Sequence, residues 1–349
     1  MISWRALSGH LVALGVASAV ALVVWTRKDP AATTQKGNVE VWGGSADSVE
    51  RIVFEAENRS VRLERRKDSQ GLWYVGSVDK SVEVRPAKPP GDAGSADAAP
   101  ADDAGLPLEK KRESSTFVSV EQGKKLAESV APLMAVRRLG KIEEARAEEF
   151  GFNKPEGTLK VTLGGRERTL VFGGTTPGGG DRYVRDDSGE AFAISGSVAQ
   201  SVLFAESRLI ERNLHGYEAD ELAGAKIERG ALSRELTRIE DKKDGWADSA
   251  SPTTLDETAG NWMAKVDRLR ILNFVENPGE LGPDARVVKI ELSGKGGRKL
   301  GFLELYKAAG EGGKPKFLVK TEHTRWYAEV IASAAEQVEQ DLGSVVKAP

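Results

Sequence analysis

The chain of 349 residues contains no cysteine. That excludes disulfides, a thiol nucleophile, Cys-ligated zinc, iron–sulfur clusters and a lipidated N-terminal cysteine. Histidine is nearly as scarce, with only His10, His215 and His323. No two of them have the i, i+4 spacing of a metal-binding helix, and no HExxH occurs. His215 and His323 read as solvated turn residues. There is no GxSxG elbow. The glycine-rich Gly173 to Gly180 lacks the lysine of a phosphate loop and runs through Asp181 and Arg182 into another strand, so it reads as an inter-strand loop. Gly294-Lys295-Gly296-Gly297 reads as a hairpin turn. Charge of one sign is also missing: 50 basic residues against 53 acidic leave a net −3. No nucleic-acid partner is expected from so even a balance. The carboxylate pairs Glu143-Glu144, Glu148-Glu149 and Asp186-Asp187 read as solvated faces. No catalytic, cofactor-binding or metal residue is assigned, no cofactor is implied, and the chain is not expected to be an enzyme.

What is present is enough apolar sequence (40%) to bury a core, in a chain long enough for two domains. From Leu11 to Trp25 no residue is charged or strongly polar. Extended back to Ala6, the run reaches ~20 residues, the length that crosses a ~30 Å hydrocarbon layer as a helix. Trp4 and Trp25 bracket it as interfacial aromatics should. Cleavage of a signal peptide at Ala17-Ser18-Ala19 competes, but it leaves an apolar core of only Leu11 to Val16. A single membrane span is therefore expected. Arg5 and the α-amine on one side face Arg27-Lys28 on the other, so orientation is nearly undecided by charge.

After this anchor (1–28) and a tether (29–47), the chain reads as two copies of one unit, 48–215 and 216–342, with a tail at 343–349. Arg51 to Ala56, Ser60 to Arg65 and Leu72 to Val75 are strand candidates, the second with period-2 alternation. Lys226-Ile227-Glu228, Leu236 to Glu240 and Trp246 repeat the theme, with Leu63 set against Ile239 and Trp73 against Trp246. Leu159 to Leu163 parallels Val288 to Leu292; Thr169 to Phe172 parallels Leu300 to Leu303. Tyr183 to Ile194 parallels Phe317 to Ala328, and short helices at Ser197 to Glu206 and Ser333 to Leu342 close the units. Each unit holds one longer helix. Leu126, Val130, Leu133 and Met134 share a helical face, with Ser119 and Gln122 as a capping box and Pro132 as a kink. Trp262, Val266 and Leu269 share another, with Thr254 and Glu257 as the box. The expected class is α+β: a transmembrane helix, then two tandem units of antiparallel strands, each with a longer and a shorter helix. Pro86 to Pro107 holds 7 Ala, 5 Pro, 4 Asp and 3 Gly with one large apolar residue, and reads as a disordered insert in the first unit.

Some of these elements carry a resemblance. They are Val49 to Ile52, Val61 to Arg65 and Gly71-Leu72-Trp73. Then come Gly151-Phe152-Asn153-Lys154-Pro155, Thr158 to Leu163, and Leu170 to Gly178 with its Phe-Gly-x-x-x-Pro-x-Gly pattern. In this order they resemble the bacterial family called domain of unknown function 4340, over nearly all of the chain outside the anchor and insert. The resemblance implies a membrane-anchored protein with no enzymatic residues to carry over. It also implies association with permease subunits of ABC-type transporters of the gliding-motility auxiliary kind. An extracytoplasmic accessory or scaffold at the bacterial inner membrane is therefore expected. An envelope module binding glycan, peptide or lipid is the alternative.

Overall fold

The computed structural model describes residues 36–84, 109–239, 242 and 245–347. The apolar run Leu11 to Trp25, the insert 86–107 and His10 lie outside them. The first half builds β1 (Lys36–Trp42), β2 (Val49–Ala56), β3 (Arg59–Asp68), β4 (Gly71–Val84), β5 (Glu109–Ser119), α1 (Glu121–Val130) and β6 (Leu133–Lys141). A 3-10 turn (Glu144–Phe150) leads to β7 (Gly157–Leu163), β8 (Arg166–Thr175), β9 (Asp181–Asp186), β10 (Glu190–Ser195), α2 (Gly196–Leu203) and α3 (Ala205–Arg208). The second half builds β11 (Leu222–Arg229), β12 (Leu232–Arg238), β13 (Trp246–Asp248), α4 (Glu257–Val266) and β14 (Ile271–Val275). It ends with β15 (Arg286–Gly294), β16 (Lys299–Ala309), β17 (Pro315–Thr321), β18 (Tyr327–Val330) and α5 (Ala332–Val345).

The strands form two sheets, and every ladder is antiparallel. The first runs β1-β6-β10-β9-β8-β7-β2-β3-β4-β5 and the second β14-β18-β17-β16-β15-β11-β12-β13. The second order is the first with β1 and β5 removed from its edges. Even an irregularity repeats: the β2–β7 ladder slips between Val49 and Arg51, the β11–β15 ladder between Leu222 and Gly224. Aligned on that slip, the buried layer Ile52, Leu63 and Val161 matches Ala225, Leu236 and Leu292. Leu63 thus corresponds to Leu236, three residues before the expected Ile239.

The α+β class with a transmembrane helix is corrected. The described body is mostly antiparallel strand, and no helix in it is long and apolar enough to cross a membrane. One cause is visible at Pro132. The face Leu126, Val130, Leu133, Met134 does not belong to one helix. α1 stops at Val130, Ala131 is extended, and Leu133 and Met134 open β6. Proline excludes the helical region for the residue before it and cannot continue the helix itself. The other cause is unread strands: β1 lies in the expected tether, and β5, β6 and β14 carry little alternation. The expected caps also differ. Ser119 makes no cap bond, and α4 is capped by Asp256, whose side chain accepts from the Ala259 N–H at 2.9 Å, not by Thr254.

Each sheet buries one face under helices. In the first half, Trp42 Nε1 donates to Val130 O (2.7 Å), a carbonyl at the helix end that the helix itself leaves free. In the second, Trp262, almost fully buried, donates to Val338 O (2.9 Å) and ties α4 to α5. The next core layer differs between halves: Phe54, Val61 and Leu159 become Ile227, Arg234 and Ile290. Arg234 lies at the edge of this layer and reaches Asp248 (3.0 Å), Asp256 (2.6 Å) and Val345 O (3.2 Å). It replaces an apolar contact with an ionic latch between sheet and helices.

Candidate functional site

The two halves are joined by a polar seam. Two segments far apart in sequence build it: the connection after α3, Glu211 to Tyr217, and the β17–β18 turn, Thr321 to Trp326. The connection leaves the edge of β5 through Glu211 N–H to Val118 O (2.8 Å). The Glu211 side chain is 2% exposed. One oxygen accepts from the N–H groups of Arg212 and Asn213 (3.1 Å each), the other from Glu121 N–H (3.2 Å) in the first turn of α1. His323 Nε2, from the other half, stands 3.4 Å away. Burial pushes the Glu211 carboxyl up, but the His323 side chain and the amides of Asn213 and Glu121 outweigh it and hold the group below the ordinary carboxylate range.

The turn is closed by its own hydroxyls. Thr321 Oγ1 accepts from His323 and Thr324 N–H (3.1 Å each) and donates to Leu214 O. Thr324 Oγ1 accepts from Thr321 N–H (3.1 Å). Glu322 stands 3.0 Å from His215 Nδ1 and accepts from Phe302 N–H (2.9 Å). His215 stacks on Tyr217 with ring centroids 4.9 Å apart. Arg325, at φ 58°, lies 2.9 Å from Asp68 of the β3–β4 turn. Trp326 meets Trp73 edge-on at 6.2 Å. In the first half the equivalent turn is open to solvent and simpler: Asp186 accepts from Ser188 N–H and Oγ–H and from Glu190 N–H. The same turn position is thus a plain hairpin in one half and a docking element in the other.

The seam is not fully satisfied. Trp73 Nε1 and Ser119 Oγ are buried without a partner among the described residues. His323 Nε2 and Arg325 Nε face carboxylates without the alignment of a hydrogen bond. Trp73 Nε1 and Ser119 Oγ each forfeit about 1–3 kcal/mol. Beside the seam lie two adjoining cavities of about 580 and 900 Å³ that share Glu121, Gly216, Tyr217 and His323. The larger also meets Lys125, Arg238, Trp246 and Arg270. Burial, with Glu322 and Asp267 nearby, raises the Tyr217 phenol, so it remains a protonated donor. With Glu211 ionised and its oxygens occupied, the arrangement is suited to holding the halves together.

The residues singled out in the sequence scatter. His323 is 5% exposed and His215 half-buried, so neither is the solvated turn residue expected. Glu143, Glu144, Glu148 and Glu149 are exposed, and Glu149 pairs with Arg146 (2.9 Å). Asp187 accepts from Thr169 N–H (3.2 Å). Trp246 joins the second core and Trp73 the first. No group of three His, Asp or Glu among the described residues is placed to hold a metal. Sequence reasoning missed Glu211, Thr321, Thr324 and Arg325. Thr321-x-x-Thr324 is the one local signal, because paired hydroxyls close a turn.

The glycine motifs have a packing reason. Gly151, at φ 73°, ends the 3-10 turn, and a Cβ there would meet Gly174 N at 2.5 Å. A Cβ on Gly173 would stand 2.2 Å from Phe150 O. The Gly151-Phe152 element therefore lies directly on β8. Phe152 is 5% exposed, with the Arg185 guanidinium 5.0 Å above its ring. A family model described as domain of unknown function (DUF4340) matches residues 105–286, just over half of the chain. The chain belongs to the DUF4340 family. The matched span contains both glycine motifs and the connection Glu211 to Tyr217. It omits Val49 to Trp73, so it is shorter than the resemblance expected from the sequence. No curated protein and no solved structure matches this DUF4340 chain.

Proposed function

We propose that this DUF4340 protein is a non-catalytic accessory platform at the bacterial inner membrane. Its soluble region faces the extracytoplasmic side and works beside an ABC-type transport complex of the gliding-motility auxiliary kind. The observation that carries the proposal is the seam. Two bodies of one strand order are fused through a buried turn, which suits a spacer that holds partners at a set distance. The apolar run Leu11 to Trp25 supports attachment to the membrane. The transporter association extends the family resemblance.

The test is affinity purification of the full chain in mild detergent, with mass spectrometry of what accompanies it. Recovery of an ABC permease and its ATPase, lost when residues 1–28 are exchanged for a cleavable signal peptide, supports the proposal. Recovery of the folded protein alone contradicts it. One observation favours a second reading, an envelope ligand-binding module: the cavity of about 900 Å³ beside the seam, walled by Tyr217 and Trp246. Saturable binding of a glycan, peptide or lipid, weakened by Tyr217→Ala, supports that reading.

A further inference from the structure

The larger cavity beside the seam, about 900 Å³, takes its walls from both halves. α1 supplies Glu121, Gln122 and Lys125 from its first two turns, and the connection supplies Arg212 to Ala219. β12 and β13 supply Arg238 and Trp246, which stand opposite each other in their ladder. α4 supplies Gly260 and Ala264, one turn apart on one helical face. Small side chains at that spacing leave room that larger ones would fill.

The buried tryptophans use their indoles differently. Trp42 and Trp262 each donate to a backbone carbonyl, and Trp73 Nε1 is sealed off without a partner. Trp246 is 4% exposed and lines the cavity, yet its Nε1 has no hydrogen-bond partner among the described residues. The Tyr217 hydroxyl, on the same cavity, has none either. A donor left unpaired in the wall of a ligand-sized cavity is a group that a ligand can satisfy. The remaining lining bears on the ligand's class. Four cations, Lys125, Arg212, Arg238 and Arg270, stand against three anions, Glu121, Glu218 and Asp267, so neither sign of ligand charge is favoured. Polar residues outnumber apolar ones, the reverse of a site for an acyl chain. We propose that this cavity binds a short neutral saccharide, with Trp246 Nε1 and the Tyr217 hydroxyl as donors to it. Sugar hydroxyls both donate and accept, so one ring meets both kinds of group in the wall. The proposal rests on the second reading above, that the cavity holds an envelope ligand.

The test uses the full chain in lipid nanodiscs, labelled with 5-fluorotryptophan, so that no sugar-headed detergent competes. The Trp246 fluorine signal is assigned by its loss in Trp246→Phe. Chitotriose and maltotriose are the probes. At least one is expected to shift that signal saturably, and Tyr217→Phe is expected to weaken its affinity about tenfold by removing one hydrogen bond. Ala264→Leu, which fills the cavity from a half-buried position, is expected to abolish the shift. Equal sugar affinity in wild type and Tyr217→Phe overturns the proposal. A Trp246 signal moved by trialanine or by a short-chain phospholipid, and by neither sugar, overturns it while keeping the ligand-binding reading. A signal that no probe moves overturns both.

Discussion

Replacing Glu211 with glutamine removes one charge from the seam and leaves its volume nearly unchanged. The wild-type carboxylate accepts from three backbone N–H groups and faces His323 at 3.4 Å, at a site 2% exposed. Glutamine offers one oxygen. Its amide nitrogen must then point at Glu121 N–H and His323, or at the N–H pair of Arg212 and Asn213. Either choice sets donor against donor, and the expected loss is about 2–4 kcal/mol. The pH dependence has a definite sign. Glu211 is held below the ordinary carboxylate range, so its contribution is present above the unfolded value near ~4.3 and is lost as pH falls through the folded value. Urea unfolding of the full chain in detergent is expected to separate Glu211→Gln from wild type clearly at pH 7. The gap is expected to close as pH falls through the folded value. Equal midpoints at pH 7, or a gap that widens in acid, would show that the ionised Glu211 does not stabilise the seam.

Three further outcomes follow from the packing. Gly173→Ala drives a Cβ to 2.2 Å from Phe150 O and is expected to destabilise by about 1–3 kcal/mol, whereas Gly174→Ala, with its nearest neighbour at 3.7 Å, stays within about 0.5 kcal/mol; paired urea melts decide this. Arg234→Met strands Asp248 and Asp256 and, because the pairs are partly exposed, is expected to cost about 1–2 kcal/mol at pH 7. Both carboxyls are held low, Asp248 chiefly by the Ala250 N–H and then by Arg234. For Asp256, burial is outweighed by the Ala259 N–H and Arg234. That loss should therefore shrink as pH falls through the carboxylate range in the same melts. Trp262→Phe removes the buried bond to Val338 O and is expected to cost about 1–3 kcal/mol of stability, read as a lower urea midpoint with little change in denaturant slope.

Local patterns in the sequence were enough to place many strands and not enough to set the class. Alternation at Val61-Arg62-Leu63 and the run Leu159 to Leu163 mark β3 and β7 because one face of each is buried and the other solvated. The helical face drawn through Pro132 failed because Leu133 and Met134 satisfy a helical spacing while belonging to a strand. Pairing Leu63 with Ile239 failed because β12 ends at Arg238, so Ile239 lies in the seven-residue connection to β13, where the first half has only two residues between β3 and β4. The seam was illegible for a different reason. His215 meets Glu322 across 107 positions, and the turn Thr321 to Arg325 reads as an ordinary polar hairpin. Only docking against Asp68, Glu211 and Trp73 buries it. Its equivalent at Asp186 stays in solvent.

If the two sheets and their shared seam form one body, calorimetry of the full chain in detergent at pH 7 will show it. One transition is expected, with calorimetric and van't Hoff enthalpies in agreement. Two separated transitions, each insensitive to Glu211→Gln, would contradict it.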